Sequence, residues 1–228
     1  MFTIKKPLFA FLLLFGAFTF LPIVAGAQYQ PEAMVSFTFD DVNLNVLNNA
    51  APLFAAHQIP AVLYAETKHL DEGAPWAMNW SQVKNLKDQN GWEIASHTIN
   101  HPDLTTVTDQ QLDQELKDSK QSFTNQGINA EAFSTPLGRY DARVLKAISK
   151  YYTSHRAAWA GPNIFPDIYN DYEILALEAK HTSTPQEVMS WIDQAVANKQ
   201  WLVLLLHDVV DGTPEEYQYN KNDLKTIV

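Results

Sequence analysis

The 228-residue sequence contains no cysteine, only 8 glycines and 18% charged residues. Without cysteine there is no disulfide scaffold, no thiolate metal site and no cysteine nucleophile. So little glycine excludes a collagen-like repeat, and low charge with 12% aromatic residues excludes disorder and coiled coil. Basic residues are scarce too: 16 Lys and Arg stand against 26 Asp and Glu, a net charge of −10. That balance makes a poor nucleic-acid binder, so no nucleic-acid partner is expected. No Pro/Gly/Ser-rich linker and no internal repeat interrupts the chain. What remains is a globular protein, 46% apolar, stabilised by core packing and able to hold a metal only through Asp, Glu and His.

The first 27 residues read as a secretory signal rather than as part of the fold. Lys5 and Lys6 precede an apolar stretch from Leu8 to Ile23, and Ala25-Gly26-Ala27 supplies a small-residue cleavage site. An uncleaved membrane anchor is the alternative, since Pro7 to Ala27 is nearly long enough to span a bilayer. Pro22 and the adjoining cleavage site favour removal near Ala27, hence a secreted or periplasmic protein with no stable membrane span. Cleavage leaves roughly 200 residues, one domain over 28–228.

Past the signal, short β-branched and aromatic runs alternate with segments of helical period. This pattern predicts βα units and a mainly parallel sheet, either a barrel or a doubly wound sheet. Strands are expected at Met34–Phe39, Ala61–Ala65, Trp92–Ser96, Ala130–Ser134, Tyr152–Ala158, Glu173–Leu177 and Trp201–Leu206. Thr108 with Gln111 forms a capping-box pair before Leu112, Leu116 and Phe123, and Thr184-Pro185 with Glu187 opens a second helix. Val144, Leu145 and Ile148 mark a third. These apolar stripes are core faces and carry no assigned function.

Ligands of parallel α/β folds bind where the strands end. The first strand ends in Asp40-Asp41, adjacent carboxylates that a cation would relieve. Neighbouring side chains of an extended chain diverge, so one Asp can ligate a metal while the other faces substrate or water. The plain alternative is that Asp41 caps the next helix. After the third strand come His97 and His101, four residues apart, a spacing that lets both imidazoles meet on one side of a helical turn. Two His and one Asp would leave open positions on a divalent ion, as in a catalytic site. The last strand delivers His207, suited to a general acid. His57 and His155 read as structural or solvated, whereas His69 and His181 follow strand ends and could line a cleft.

Together these residues resemble the polysaccharide deacetylase family, the NodB-like domains of carbohydrate esterase family four. Thr38-Phe39-Asp40-Asp41 matches its first motif, His97-Thr98-Ile99-Asn100-His101 its second and Leu205-Leu206-His207 its fifth, in the family's order; Pro60–Tyr64 and His101–Thr105 are also similar. The resemblance implies a distorted (β/α)7-type barrel. It implies a divalent metal, zinc above all with cobalt, nickel or manganese as substitutes, held by Asp41, His97 and His101. It makes Asp40 the general base and His207 the general acid. The implied activity is a hydrolase acting on a non-peptide carbon–nitrogen bond: the acetamide of an N-acetylglucosamine-type residue in an acetylated polysaccharide or oligosaccharide, split to acetate and amine. An O-acetyl esterase on glycans such as xylan and a non-catalytic glycan-binding domain are the competing readings.

Two stretches depart from the family pattern. Ser134 stands where the third motif commonly has the arginine that holds the base, and Arg139 is the expected substitute. Around that motif Pro136, Leu137, Gly138, Arg139 and Tyr140, with Leu205 opposite, are expected to form the substrate and oxyanion surface, Leu137 donating its N–H. The fourth motif has no clean match between Trp159 and Asp171, leaving Asp167 and Asp171 as candidate partners of His207. Resembling proteins continue past the helix begun at Asn222–Val228, so the resemblance admits a chain truncated there, with the barrel poorly closed on that side.

Overall fold

The computed structural model describes residues 32–158, 161–164 and 171–228; the signal sequence and its cleavage site lie outside them, as do Trp159 and Asp167. In chain order the described elements are β1 (Met34–Asp40), a wide helical turn (Val46–Ala50) running into α1 (Ala51–His57), β2 (Val62–Ala65), α2 (Thr67–Glu72), α3 (Trp80–Asn90) and β3 (Glu93–Ser96). Then come α4 (Asp109–Asn125), β4 (Ala132–Ser134), α5 (Ala142–Ile148), β5 (Ser154–Arg156), β6 (Asn163–Ile164) and β7 (Leu177–Glu178). The chain ends with α6 (Pro185–Ala197), β8 (Gln200–Leu206), β9 (Asp208–Val210), β10 (Gln218–Asn220) and α7 (Lys221–Ile227).

The main sheet runs β5-β4-β3-β2-β1-β8-β6, with β7 also on β8. Every pairing in it is parallel except β6 with β8. The seven parallel strands fall at the seven expected places. The expected Tyr152–Ala158 strand is confined to Ser154–Arg156. The expected Glu173–Leu177 strand is a single parallel bridge from Ile174 to Arg156, followed by β7. Residues 174–178 thereby join the two ends of the sheet: Ile174 binds β5, while Leu177 and Glu178 pair with Leu204 and Leu205 of β8. This link curls the sheet into a distorted (β/α) barrel. β8 is paired to β1 over six residues, Met34 to Phe39.

Period-two alternation sets what each face carries. In β1, Phe37 and Phe39 point to the helices, where Phe54 of α1 meets both rings edge-on at 5.0 and 5.6 Å and Trp92 stacks on Phe39 at 5.2 Å. Thr38 and Asp40 point the other way, into the barrel, and both are buried. The Thr38 hydroxyl donates to the Leu204 carbonyl at 3.0 Å, fixing β1 against β8. Around the interior, Tyr64, Ala95 and Ala132 pack on one side and Ala176, Val203 and Leu205 on the other. Leu202–Leu206 is buried throughout, as a parallel strand covered on both faces must be.

The helices start where their caps dictate. Thr108 and Gln111 form the reciprocal capping box of α4, and Thr184 accepts from the Glu187 N–H at the start of α6. Asp141 caps α5, burying Val144 and Ile148 as the stripe predicts.

Candidate active site

Asp40 lies at the last position of β1 and is 3% exposed. A carboxylate so enclosed needs a compensating partner, and Arg156, at the end of β5 and itself 2% exposed, contacts both of its oxygens. The guanidinium is stacked on the Tyr64 ring, 4.9 Å from its centroid. Burial alone would push the Asp40 carboxyl up, but Arg156, helped by His97 and His207, outweighs it and holds the group below its ordinary value. Asp40 is therefore a buried anion. Arg139, the expected holder, is instead exposed and pairs with Asp103 at 2.7 Å. Its place beyond the 136–138 turn carries it outward, whereas strand alternation aims Arg156 inward.

Asp41 leaves the strand with a left-handed φ of 67° and caps no helix, since α1 and the turn before it begin without a side-chain cap. The reversal turns its carboxylate toward His97 and His101, whose Nε2 atoms lie 4.0 and 3.7 Å from Oδ1. The two imidazoles meet with centroids 4.8 Å apart, though not through the expected helical turn. Residues 97–101 form an irregular loop in which Thr98 and His101 both have positive φ, 71° and 57°. The loop is braced from α4 by Glu115, whose carboxylate accepts from the N–H groups of Ile99 and Asn100 at 3.0 Å each. Such strained backbone persists only where its surroundings hold it, and it concentrates at functional sites.

His97 is buried and meets Ser134 through its Nδ1, 2.9 Å from the carbonyl oxygen and 2.7 Å from the hydroxyl. A carbonyl only accepts, so Nδ1 carries the proton and Nε2 keeps a lone pair facing the two aspartates. Burial lowers the His97 imidazole to about 3, so it stays neutral. Burial also lifts the Asp41 carboxyl to about 6; His207 opposes this, whereas Asp40 and Glu66 add to it. Two neutral-capable imidazole nitrogens and one carboxylate oxygen, all within 4.8 Å of one another, with the free ring nitrogen of His97 presented inward, fit a divalent cation with open coordination positions.

His207 stands at the break between β8 and β9. Its Nδ1 faces Glu178 Oε1 at 3.6 Å, and Lys180 holds the other carboxylate oxygen at 3.2 Å. Among the described residues Glu178 is thus the carboxylate facing His207; Asp167 lies outside them, and the Asp171 carbonyl accepts from the His155 N–H at 2.7 Å. The His207 ring also leans on Tyr217, centroids 5.5 Å apart.

These groups open into one cleft of about 310 Å³, lined by both aspartates, His97, His101, His207 and Glu178, and by Leu137, Gly138, Arg139, Leu205, Ala158 and Tyr217. Pro136 is buried under the turn and Tyr140 packs edge-on against His155 at 5.0 Å, so neither lines the cleft. His155 is a buried structural group, its Nδ1 donating to the Tyr172 carbonyl at 2.7 Å. His57 and His181 are exposed, and His69 pairs with the buried Glu66. Sequence reasoning missed Arg156, Glu178, Ser134 and Tyr217. Two of these were detectable as polar residues ending strands, Arg156 as the last residue of β5 and Glu178 as the last of β7.

The family model for polysaccharide deacetylase matches residues 27–153, more than half of the chain, and takes in Asp40, Asp41, His97 and His101. The chain belongs to the polysaccharide deacetylase family. YxkH of Bacillus subtilis (strain 168) is 33% identical over 120 residues, 52% of this chain and 42% of that protein. The chain thus matches less than half the length of that relative. Among solved structures, the Streptococcus pyogenes deacetylase PplD in complex with acetate superposes with a TM-score of 0.62 at 24% identity, covering 69% of each chain. The family 4 carbohydrate esterase from Streptomyces lividans in complex with acetate gives 0.57 at 20% identity over 86% of this chain and 84% of its own chain. Likeness at that identity speaks for the fold. Arg156, Glu178 and His207 all lie beyond the matched residues, and it is the closure of the barrel that brings them to the four within.

Proposed function

We propose that the chain is an exported, cation-dependent N-deacetylase that removes acetyl groups from N-acetylglucosamine-type residues of a polysaccharide. One observation carries this reading: a buried anionic carboxylate, Asp40, and an imidazole, His207, share a cleft with a three-residue cation site. Asp41, His97 and His101 would hold the ion, and zinc suits two imidazoles and a carboxylate. When bound, the cation would polarise the acetyl carbonyl and make a water more acidic.

The chain's own groups supply the proton transfers. Asp40, held ionised by Arg156, accepts the proton of the attacking water as its oxygen joins the carbonyl carbon. Gly138 and Arg139 commit their N–H groups to the turn at 3.1 and 3.2 Å, and Leu137 is our candidate N–H donor to the oxyanion. His207, protonated and facing the Glu178 carboxylate, gives its proton to the sugar nitrogen as the carbon–nitrogen bond breaks, a step that a poor amine leaving group requires. Acetate and a free amine result. No helix among the described residues is long and apolar enough to cross a membrane, and the pattern of residues 1–27 supports export.

The test is acetate release from acetylated chito-oligosaccharides, which chelator and Asp40→Asn should each abolish. Turnover that survives both overturns the proposal. Parallel assays on acetyl-xylan separate amide from ester preference.

A further inference from the structure

We infer that this cleft takes an internal residue of an extended glycan, and that Trp76 and Tyr217 are aromatic platforms for the sugars on either side of it. The inference rests on the deacetylase reading above and names the form of its substrate. Among the described residues five large apolar side chains are exposed; of these Leu137 and Tyr217 line the cleft, and Trp76 is hydrogen-bonded to the segment that follows Asp41.

Trp76 is 47% exposed, yet its mount is rigid. Its carbonyl accepts from the Leu44 N–H at 2.9 Å, and its neighbour Ala77 bridges Asn43, two residues beyond Asp41. The Met78 N–H adds a 2.7 Å bond to the Val42 carbonyl. His69 holds the indole edge-on at 4.5 Å and is itself tied to the buried Glu66. An aromatic fixed in this way gains nothing from burial and loses little entropy when a partner covers its free face.

Sheet order sets the two platforms apart. Trp76 belongs to the connection that follows β2, while Tyr217 enters β10, paired with β9, the extension of β8. β1, with Asp40 and Asp41 at its end, lies between β2 and β8. A chain crossing the catalytic aspartates would pass Trp76 on one side and Tyr217 on the other. Tyr217 is 42% exposed, has a φ of 65°, and carries Lys180 over its ring at 5.5 Å. Both thus present an apolar ring flanked by polar groups, the combination that suits a pyranose, whose faces are apolar and whose rim is hydroxylated.

The experiment is calorimetric titration of Asp40→Asn protein, which cannot turn substrate over, with the hexamer and the dimer of β-1,4-linked N-acetylglucosamine. The hexamer should bind at least about tenfold more tightly than the dimer. Trp76→Ala should weaken hexamer binding about tenfold and change dimer binding less than about twofold, while Trp76→Phe keeps most of the hexamer affinity. Tyr217→Ala should likewise weaken hexamer binding about tenfold while Tyr217→Phe keeps most of it, and melting curves establish that each variant is folded. Equal hexamer affinity with and without the two rings, or no preference for the hexamer, overturns the inference. Ring-dependent hexamer binding with no acetate release by the native protein would uphold the inference and sink the deacetylase reading. The converse result would do the opposite.

Discussion

Replacing Arg156 by Met keeps most of the side-chain volume and removes the only guanidinium that touches Asp40. Both side chains are nearly inaccessible, 2% and 5% exposed, so water cannot take over the lost interaction. Breaking a buried pair from one side typically costs about 3–5 kcal/mol, since an unpaired charge is left behind. At about 2–4 °C per kcal/mol for a domain of this size, the melting temperature should fall by about 10 °C. The sign follows from Asp40: without Arg156 its folded-state pKa rises above the unfolded value, so the penalty grows as pH rises and shrinks toward acid. The assay is thermal and urea unfolding in chelator, so that no cation replaces the guanidinium. Asp40→Asn/Arg156→Met, with neither charge, should recover at least about 2 kcal/mol over Arg156→Met alone. A single variant as stable as the parent, or a double variant that loses the sum of both single losses, would refute this account of the pair.

Under the proposed mechanism Glu178→Gln, which removes the carboxylate facing His207 at 3.6 Å, should lower kcat for acetate release by about tenfold or more with KM little changed; an unchanged kcat would show that Glu178 does not support His207. Ser134→Ala keeps the carbonyl but deletes the hydroxyl at His97 Nδ1, so cation affinity, read by competition with a chromogenic chelator, should drop about tenfold, while His97→Ala should abolish binding. Burial holds the His155 imidazole down to about 4 from 6.5; a depressed histidine favours folding while neutral, and this stability drains away as pH falls from about 6.5 to about 4. The loss is about 3 kcal/mol, and His155→Gln should flatten the acid slope of unfolding free energy, an outcome that an unchanged slope would contradict.

How legible each part was depends on how local its determinants are. The places of the parallel strands follow from apolar runs, and α4 and α6 start where Thr108 and Thr184 cap them, because these signals act within a few residues. Asp40-Asp41 and His97…His101 stand out for the same reason. Their geometry was less predictable: a four-residue spacing suggests a helical turn, yet Thr98 and His101 take positive φ because Glu115, on α4, ties down the loop between them. Arg156 and Glu178 are visible in the sequence only as polar residues at strand ends, because their partners depend on register. Arg156 meets Asp40 across 116 residues, four strands along the sheet, and Glu178 meets His207 only because residues 174–178 join β5 to β8. Arg139 was favoured for its closeness in sequence to Ser134, but nearness along the chain does not decide which face a side chain joins.

The split between Ser134 and Arg156 has a further consequence. The 134–139 segment steadies the His97 imidazole and shapes the wall of the cleft, while the charge of Asp40 is governed by Arg156, the register partner of Ser134 on the neighbouring strand β5. Leu137 and Arg139 line the cleft whereas Arg156 does not, so under the proposed mechanism substrate acceptance and the ionisation of Asp40 fall to different side chains. Changes at Leu137 or Arg139 can widen or recharge the entrance without detuning Asp40, and redesign of acyl-group or sugar preference should begin there and leave β5 untouched.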